Sequence, residues 1–336
     1  MYDFYYLKNN LELYFIYSMK RITLLCGLAL ISSFAFAQTI AVNGTIADQQ
    51  GKPVPFAFIK DARHNYATLS DLNGTFNLKV DTADRLIISA KNFMGMVVKI
   101  VDPKDVSITM KNDVATGTKS AGSGEAFKEK SSTEGMTHGT SSGYIAHENT
   151  VHGSRYLFED WVHGYAITTD DSIKQNNNYL FNYGKMDGTL VFTDDGKTMQ
   201  TINRHSIKMF TLFDDQGQPY VFENVPAIDP IHFMQVLATG SKYKIYKQLG
   251  TKYIPNNYVS NGMTSSGNNY DEFKDESVYY AVKMPEGTIQ KFSLKRKGIK
   301  TAFAADIAKV NKFESAHDSD EIDDKYLKAL GDYINE

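Results

Sequence analysis

Apolar and polar positions alternate in short runs between residues 39 and 111, with the two-residue period of a strand that buries one face. Turn residues separate the runs, as at Asp48 to Gly51 and Asp71 to Gly74, where an acid comes first and a glycine last. The predicted strands cover residues 39–46, 54–60, 66–70, 75–80, 85–90, 96–101 and 106–110. So many short strands in one stretch predict a small β-sandwich over residues 38–111.

Residues 155–300 alternate in the same way but contain more aromatic side chains. Strands are predicted at residues 161–168, 179–183, 189–192, 207–213, 220–222, 242–249, 277–284 and 288–294. Turn pairs such as Asp187-Gly188 indicate hairpins between them. We expect a β-meander that curls into a barrel-like or sandwich domain, with exposed loops at residues 176–178 and 256–269.

The period changes to that of a helix after residue 300. Residues 301–313 and 320–334 carry apolar side chains three or four positions apart, and Asp318 and Asp320 offer caps before the second helix. Residues 301–336 are therefore predicted to form a short helical pair packed on the β-rich domain.

The N-terminal region also carries a recognisable motif. Its residues are Gly44, Asp48, Gly51, Pro53, Ala57, Asp71, Asn73, Gly74, Phe76 and Leu78. This pattern resembles the carboxypeptidase regulatory-like domain, a transthyretin-like β-sandwich of exported and outer-membrane proteins of Bacteroidota. The resemblance covers residues 38–111, departs from the family at residues 91–95, and implies an accessory spacer or weak binding module rather than a peptidase. The C-terminal part resembles exported β-rich proteins of the same bacteria, and that likeness implies no activity.

Residues 112–154 are rich in Gly, Ser, Thr and Lys. Such a composition buries too little apolar surface to offset its ordering entropy, so a flexible linker is predicted. His138, His147 and His152 lie in or beside it at spacings that match no compact ligand pattern. We interpret them as exposed loop histidines.

Residues 19–37 have the features of an export signal. Lys20 and Arg21 precede an apolar run over residues 22–34, and a small-x-small site ends at Ala37, so cleavage is predicted between Ala37 and Gln38. Residues 1–18 are interpreted as a mis-called upstream extension. An uncleaved anchor is an alternative, although the apolar run is shorter than a bilayer requires. Acylation of Cys26 as a lipoprotein is another.

Composition limits the chemistry that remains. Cys26 is the only cysteine, so the mature chain would contain neither disulfides nor thiolate sites. The formal net charge of −3 and the absence of a long basic run argue against a nucleic-acid partner. The short basic cluster at residues 295–300 is interpreted as a solvated surface rather than a phosphate site.

No catalytic, cofactor or metal site is predicted. The other histidines, at positions 64, 163, 205, 232 and 317, have no metal-ligand spacing and lie beside no G-x-S-x-G motif. The acidic pairs at residues 170–171, 194–195 and 214–215 fit hairpin turns better than paired hydrolytic carboxylates. Asp48, Asp71 and Asn73 could ligate calcium, but they lack its dense spacing and fit turns better.

Aromatic residues beside the polar loop at residues 256–269 are the best candidates for ligand contact: Tyr253, Tyr258 and Tyr270. The sequence therefore favours a non-catalytic exported protein, periplasmic, associated with the outer membrane or secreted, that binds or assembles a protein or glycan partner. A glycan hydrolase with an active site in the β-rich domain and a purely structural spacer are the alternatives.

The export signal makes a direct prediction about the mature chain. N-terminal sequencing of the protein purified from the envelope is expected to begin at Gln38, because signal peptidase cleaves after Ala-x-Ala. A first residue of Met1 or Met19 would contradict cleavage, and a blocked chain that starts at Cys26 would indicate a lipoprotein.

Overall fold

The structure is a computed structural model that describes residues 40–80, 85–113, 137–140, 151–260 and 264–336. The predicted signal, Cys26, and the cleavage site at Ala37 and Gln38 lie outside these residues. So does most of the predicted linker. These assignments stay predictions.

The N-terminal region folds into two facing sheets. Its strands are β1 (Ile40–Asp48), β2 (Phe58–Asp61), β3 (Ala67–Leu69), β4 (Thr75–Val80), β5 (Arg85–Ser89), β6 (Met96–Lys99) and β7 (Val106–Met110). In the described residues one sheet has the order β4-β1-β7 and the other β3-β2-β5-β6. Alternate side chains such as Val42 and Ile46 of β1 meet Ile59 and Ile88 of the second sheet in a common core. All the strands predicted here are present.

The C-terminal region is built mainly on one large sheet. The strands that follow in the chain are β8 (Thr137–Thr140), β9 (Val151–His152), β10 (His163–Thr168), β11 (Ile173–Lys174), β12 (Leu180–Gly184), β13 (Thr189–Thr193), β14 (Gln200–Ile202), β15 (Ile207–Phe213), β16 (Pro219–Glu223), β17 (Met234–Thr239), β18 (Tyr243–Ile254), β19 (Val259–Ser260), β20 (Ser265–Ser266), β21 (Asp271–Lys283) and β22 (Thr288–Phe292). The large sheet has the order β11-β10-β15-β16-β17-β18-β21-β22, with β9 beside β21.

A second sheet, β12-β13-β14-β8, covers one end of the large sheet, and every sheet within the described ranges stays open. The fold is therefore mainly β, as predicted, but it is not a closed barrel. Phe210 and Phe222 of the large sheet stack at a centroid distance of 4.7 Å, and Tyr183 of the covering sheet lies 5.0 Å from Phe222. These rings form the centre of the second core.

Helices cover the other end of the same sheet face. They are α1 (Arg296–Ala302), α2 (Ile307–Ala316) and α3 (Asp324–Asn335), with a 3-10 turn at Ala304–Asp306. The side chain of Asp323 caps α3 by accepting a hydrogen bond from the Tyr326 amide at 2.8 Å. The predicted helical pair at residues 301–313 and 320–334 is present as α2 and α3, and α1 precedes it, separated from α2 by a break that contains the buried Phe303. In the described part of the chain no helix is both long and apolar enough to cross a membrane.

Several local predictions need correction. The strand β17 was not predicted, and the helical part begins earlier than predicted, at Arg296. The basic cluster at residues 295–300 lies at the start of α1 with Lys295 and Lys297 exposed, and Lys300 pairs with Glu314 at 3.1 Å. Within the predicted linker, β8 joins the second sheet and β9 pairs with β21. The predicted loop at residues 256–269 contains the short β19–β20 hairpin.

The N-terminal sandwich packs directly on the large sheet. Phe58 and Leu69 of the sandwich share an apolar cluster with Tyr165, Ile167 and Phe213 of the sheet. The Tyr165 hydroxyl donates a hydrogen bond to the Ala67 carbonyl at 2.8 Å. The two regions are therefore joined by a buried contact.

The helical layer predicts a large effect of one truncation. Leu327→Ala should lower the free energy of unfolding by about 2–5 kcal/mol, because the fully buried side chain would leave a cavity between α3 and the sheet. Lys328→Ala is the matched control on the exposed side of α3, and a change within about 0.5 kcal/mol is expected. Urea unfolding of both variants measures the difference; equal losses would contradict this packing.

Candidate functional site

The longest hairpin of the structure extends beyond its neighbouring strands. β18 and β21 pair continuously from Tyr243 opposite Lys283 to Ile254 opposite Glu272. The neighbouring strands are shorter: β17 pairs with β18 no further out than Gln248, and β22 pairs with β21 no further out than Tyr279. The outer part of this hairpin, residues 250–277, is called the arm below.

The sequence of the arm explains why it projects. Its strands carry charged side chains at positions 252, 272, 274, 275 and 276, most of them exposed. A ribbon with so few apolar positions has no continuous face to bury, so neither the helices nor the second sheet covers it. The arm therefore presents its end to solvent.

The structure places the three candidate tyrosines at the outer end of the arm. Tyr253 lies on β18 and is 40% exposed, whereas Tyr258 lies beyond the strand and is 50% exposed. Tyr270 precedes β21 and stacks on His152, with the ring centroids 3.8 Å apart. Val259, which is 64% exposed, adds an apolar side chain next to Tyr258. Tyr258 and Val259 are thus the most accessible of these side chains, Tyr253 is partly accessible, and Tyr270 is held against His152.

Asp271 organises the outer end of the arm. Its carboxylate accepts hydrogen bonds from the Tyr253 hydroxyl at 2.6 Å and from the Asn256 amide at 2.7 Å. The Tyr253 hydroxyl, followed by the Asn256 amide, lowers the pKa of Asp271 below its usual range. This carboxylate therefore ties the last residue pairs of the ribbon to the loop that follows.

Further hydrogen bonds continue this order into the loop. The Asn257 backbone N–H donates to the Asn268 carbonyl at 3.1 Å, and the Asn268 backbone N–H donates to the Asn257 side-chain oxygen at 2.8 Å. Gly267 has a φ of +85°, and a side chain there would lie 2.3 Å from the Asn257 carbonyl oxygen. Asn257, Gly267 and Asn268 thus bring the two described ends of this loop together.

Two contacts fix the arm to the body. The Lys185 ammonium, on a side chain only 7% exposed, lies 2.6 Å from the Asp275 carboxylate. The strand β9 pairs in parallel with Asp271 and Glu272. Sequence reasoning missed Lys185, because nothing in its local pattern indicates a burial that depends on a residue ninety positions away.

The other candidate residues have structural roles. Asp48 and Asp71 each accept two backbone hydrogen bonds within their own turns, as do Asp195 and Asp214. Asp171 pairs with Lys208 at 2.6 Å. In the described ranges no group of three or more His, Cys, Asp or Glu side chains could hold a metal ion.

The remaining histidines are separated in the fold. His64 pairs with the buried Asp61 at 3.1 Å, and His232 pairs with Asp229 at 3.0 Å. His163 stacks on Phe56, and His317 stacks on Phe313. Each pair lies within a turn, a helix end or the contact between the two regions, so these four histidines form no common cluster.

Comparison with protein-family models and with curated proteins gives no match for this chain. The assignment of function therefore rests on the chain's own residues.

The contact between Tyr253 and Asp271 gives a titration prediction. Tyr253→Phe should raise the pKa of Asp271 toward its ordinary value, because phenylalanine cannot donate the hydrogen bond that does most to lower this pKa. Carboxyl-carbon NMR titration measures the shift. In the wild type the Asp271 carboxylate is ionised at neutral pH and accepts this hydrogen bond. Because its pKa is depressed, the stabilisation from this contact is lost only as the pH falls through that pKa. Tyr258→Phe is the matched control and should leave the titration of Asp271 unchanged; equal pKa values in all three proteins would contradict the contact.

Proposed function

We propose that the protein is an exported, non-catalytic envelope protein that binds or assembles a protein or glycan partner through the end of its arm. The exported location, in the periplasm, at the outer membrane or outside the cell, follows from the signal-like residues 19–37. The proposal also takes the N-terminal sandwich as a carboxypeptidase regulatory-like module, in agreement with its motif residues and its two-sheet architecture.

The exposed position of Tyr258 and Val259 carries the binding proposal. Tyr258 and Val259 are at least half exposed, so they leave much of their apolar surface available for a partner. An aromatic ring offers a flat face for a sugar ring or a protein side chain, and its hydroxyl offers a hydrogen bond. The hydrogen bonds between Asn257 and Asn268, and the pairing of Val259 with Ser266, hold the described residues beside this pair in place, which lowers the entropy lost on binding.

Capture from envelope extracts tests this proposal. A tagged mature chain is expected to retain a protein partner from the producing bacterium or to give signal on a glycan array. The double variant Tyr258→Ser, Val259→Ser should lose at least nine tenths of that signal, because it removes the exposed apolar surface of the arm.

The matched control is the double variant Val97→Ser, Val101→Ser, which removes two exposed valines from the N-terminal sandwich. It should bind as the wild type does. If the wild type retains nothing in either assay, or if both double variants bind equally well, the arm is not the binding surface.

A further inference from the structure

A polar groove lies beside the contact between the N-terminal sandwich and the large sheet. It has a volume of about 580 Å³, within the usual range of small-ligand sites, and such sites often form where two domains meet. One wall comes from β1, β4 and the turn before β7, and the other comes from the turn between β15 and β16. Neither region would form this groove alone.

Packing holds the two walls in place. The ring of Phe56 stacks on His163 at a centroid distance of 4.4 Å, and the Tyr165 hydroxyl bonds to the Ala67 carbonyl. At the groove itself Gly217 has a φ of +78°, and a side chain there would lie 2.9 Å from Asp71 Cα. The turn between β15 and β16 therefore needs glycine to approach the sandwich this closely, so the groove is preformed.

Amide groups line the sandwich wall. Asn43 and Asn77 lie opposite each other on β1 and β4, and the Asn77 side-chain amide donates a hydrogen bond to the Asn43 side-chain oxygen. Each amide has two donor hydrogens and an acceptor oxygen, so this pair retains donors on Asn43 and an acceptor on Asn77. Thr45 adds a hydroxyl on this wall, and Gln218 adds an amide on the other.

The charges of the groove are mixed. Lys104 and Asp105 lie side by side, and the Asp71 carboxylate already accepts the Thr75 hydroxyl at 2.6 Å. One lysine among two acids gives no positive field for a phosphate or a nucleotide. Pro219 is exposed and supplies apolar surface beside the polar groups, whereas Leu69, Phe76 and Phe213 of the lining are almost fully buried.

We propose that this groove binds a short neutral oligosaccharide. Sugar hydroxyls both donate and accept, which suits paired amides and threonine hydroxyls, and the carbon–hydrogen faces of sugar rings suit the apolar surface beside them. The site requires both regions, so it assigns the N-terminal sandwich a part in ligand binding. It is separate from the arm and does not depend on what the arm binds.

Isothermal titration of the mature chain with maltotriose, cellotriose, mannotriose, xylotriose and chitotriose tests the groove. At least one of these is expected to bind, and Asn77→Ala and Gln218→Ala should each weaken it at least tenfold. Gln290→Ala, on the exposed strand β22, is the matched control and should bind as the wild type does. Gln218 lies on an exposed turn held by its backbone, so its variant keeps the fold and the test remains decisive.

Three results would overturn the proposal. The first is no binding of any of the five trisaccharides at millimolar concentration. The second is equal affinity of the wild type and both groove variants. The third is loss of binding in the Tyr258→Ser, Val259→Ser variant with retention in the groove variants, which would place the sugar on the arm instead.

Discussion

The rest of the structure depends on the two apolar faces of strand β15. In this strand Phe210 and Leu212 point to one side of the large sheet and Phe213 points to the other, and all three are buried. A sheet that is apolar on both faces must be covered on both. The second sheet provides one cover and the N-terminal sandwich provides the other. The joint position of the two regions, and the groove between them, therefore follow from the side chains of one strand.

The requirement that apolar faces be covered, and that polar ones need not be, also explains the arm. Along β18 the buried residues Tyr243 and Ile245 face the helices, whereas the outer positions Lys252 and Tyr253 are exposed. The strand begins as part of a core and ends as a ribbon, because its side chains change from apolar to polar along its length. An isolated two-stranded ribbon is marginally stable in water, so the arm needs the Lys185–Asp275 pair and the added strand β9.

Local pattern predicts the strands well where the period is regular. The seven strands of the N-terminal sandwich are short apolar–polar runs, two of whose separators are Asx–Gly turns at Asp48 to Gly51 and Asp71 to Gly74, and all seven are present. The strand β17 was not predicted because its side chains do not alternate regularly. A bulge shifts its register between Val236 and Ala238, and the neighbours Leu237 and Ala238 both join the core beneath the helices. Two consecutive residues on one face break the two-residue period on which the prediction depends.

The two candidate sites also differ in whether a local sequence pattern can predict them. Tyr253, Tyr258 and Tyr270 could be selected from sequence because an aromatic beside a polar loop is a local signal, and they do lie at one end of the arm. The groove could not be predicted from a local pattern, because Asn43 and Gln218 are far apart in sequence and line one groove only through the packing of Phe58 and Leu69 on the large sheet. Each of these residues is ordinary in its own strand or turn. Such a groove is assembled from two regions by a buried apolar contact. It can therefore be found only when the layers that pack on the two faces of β15 are known.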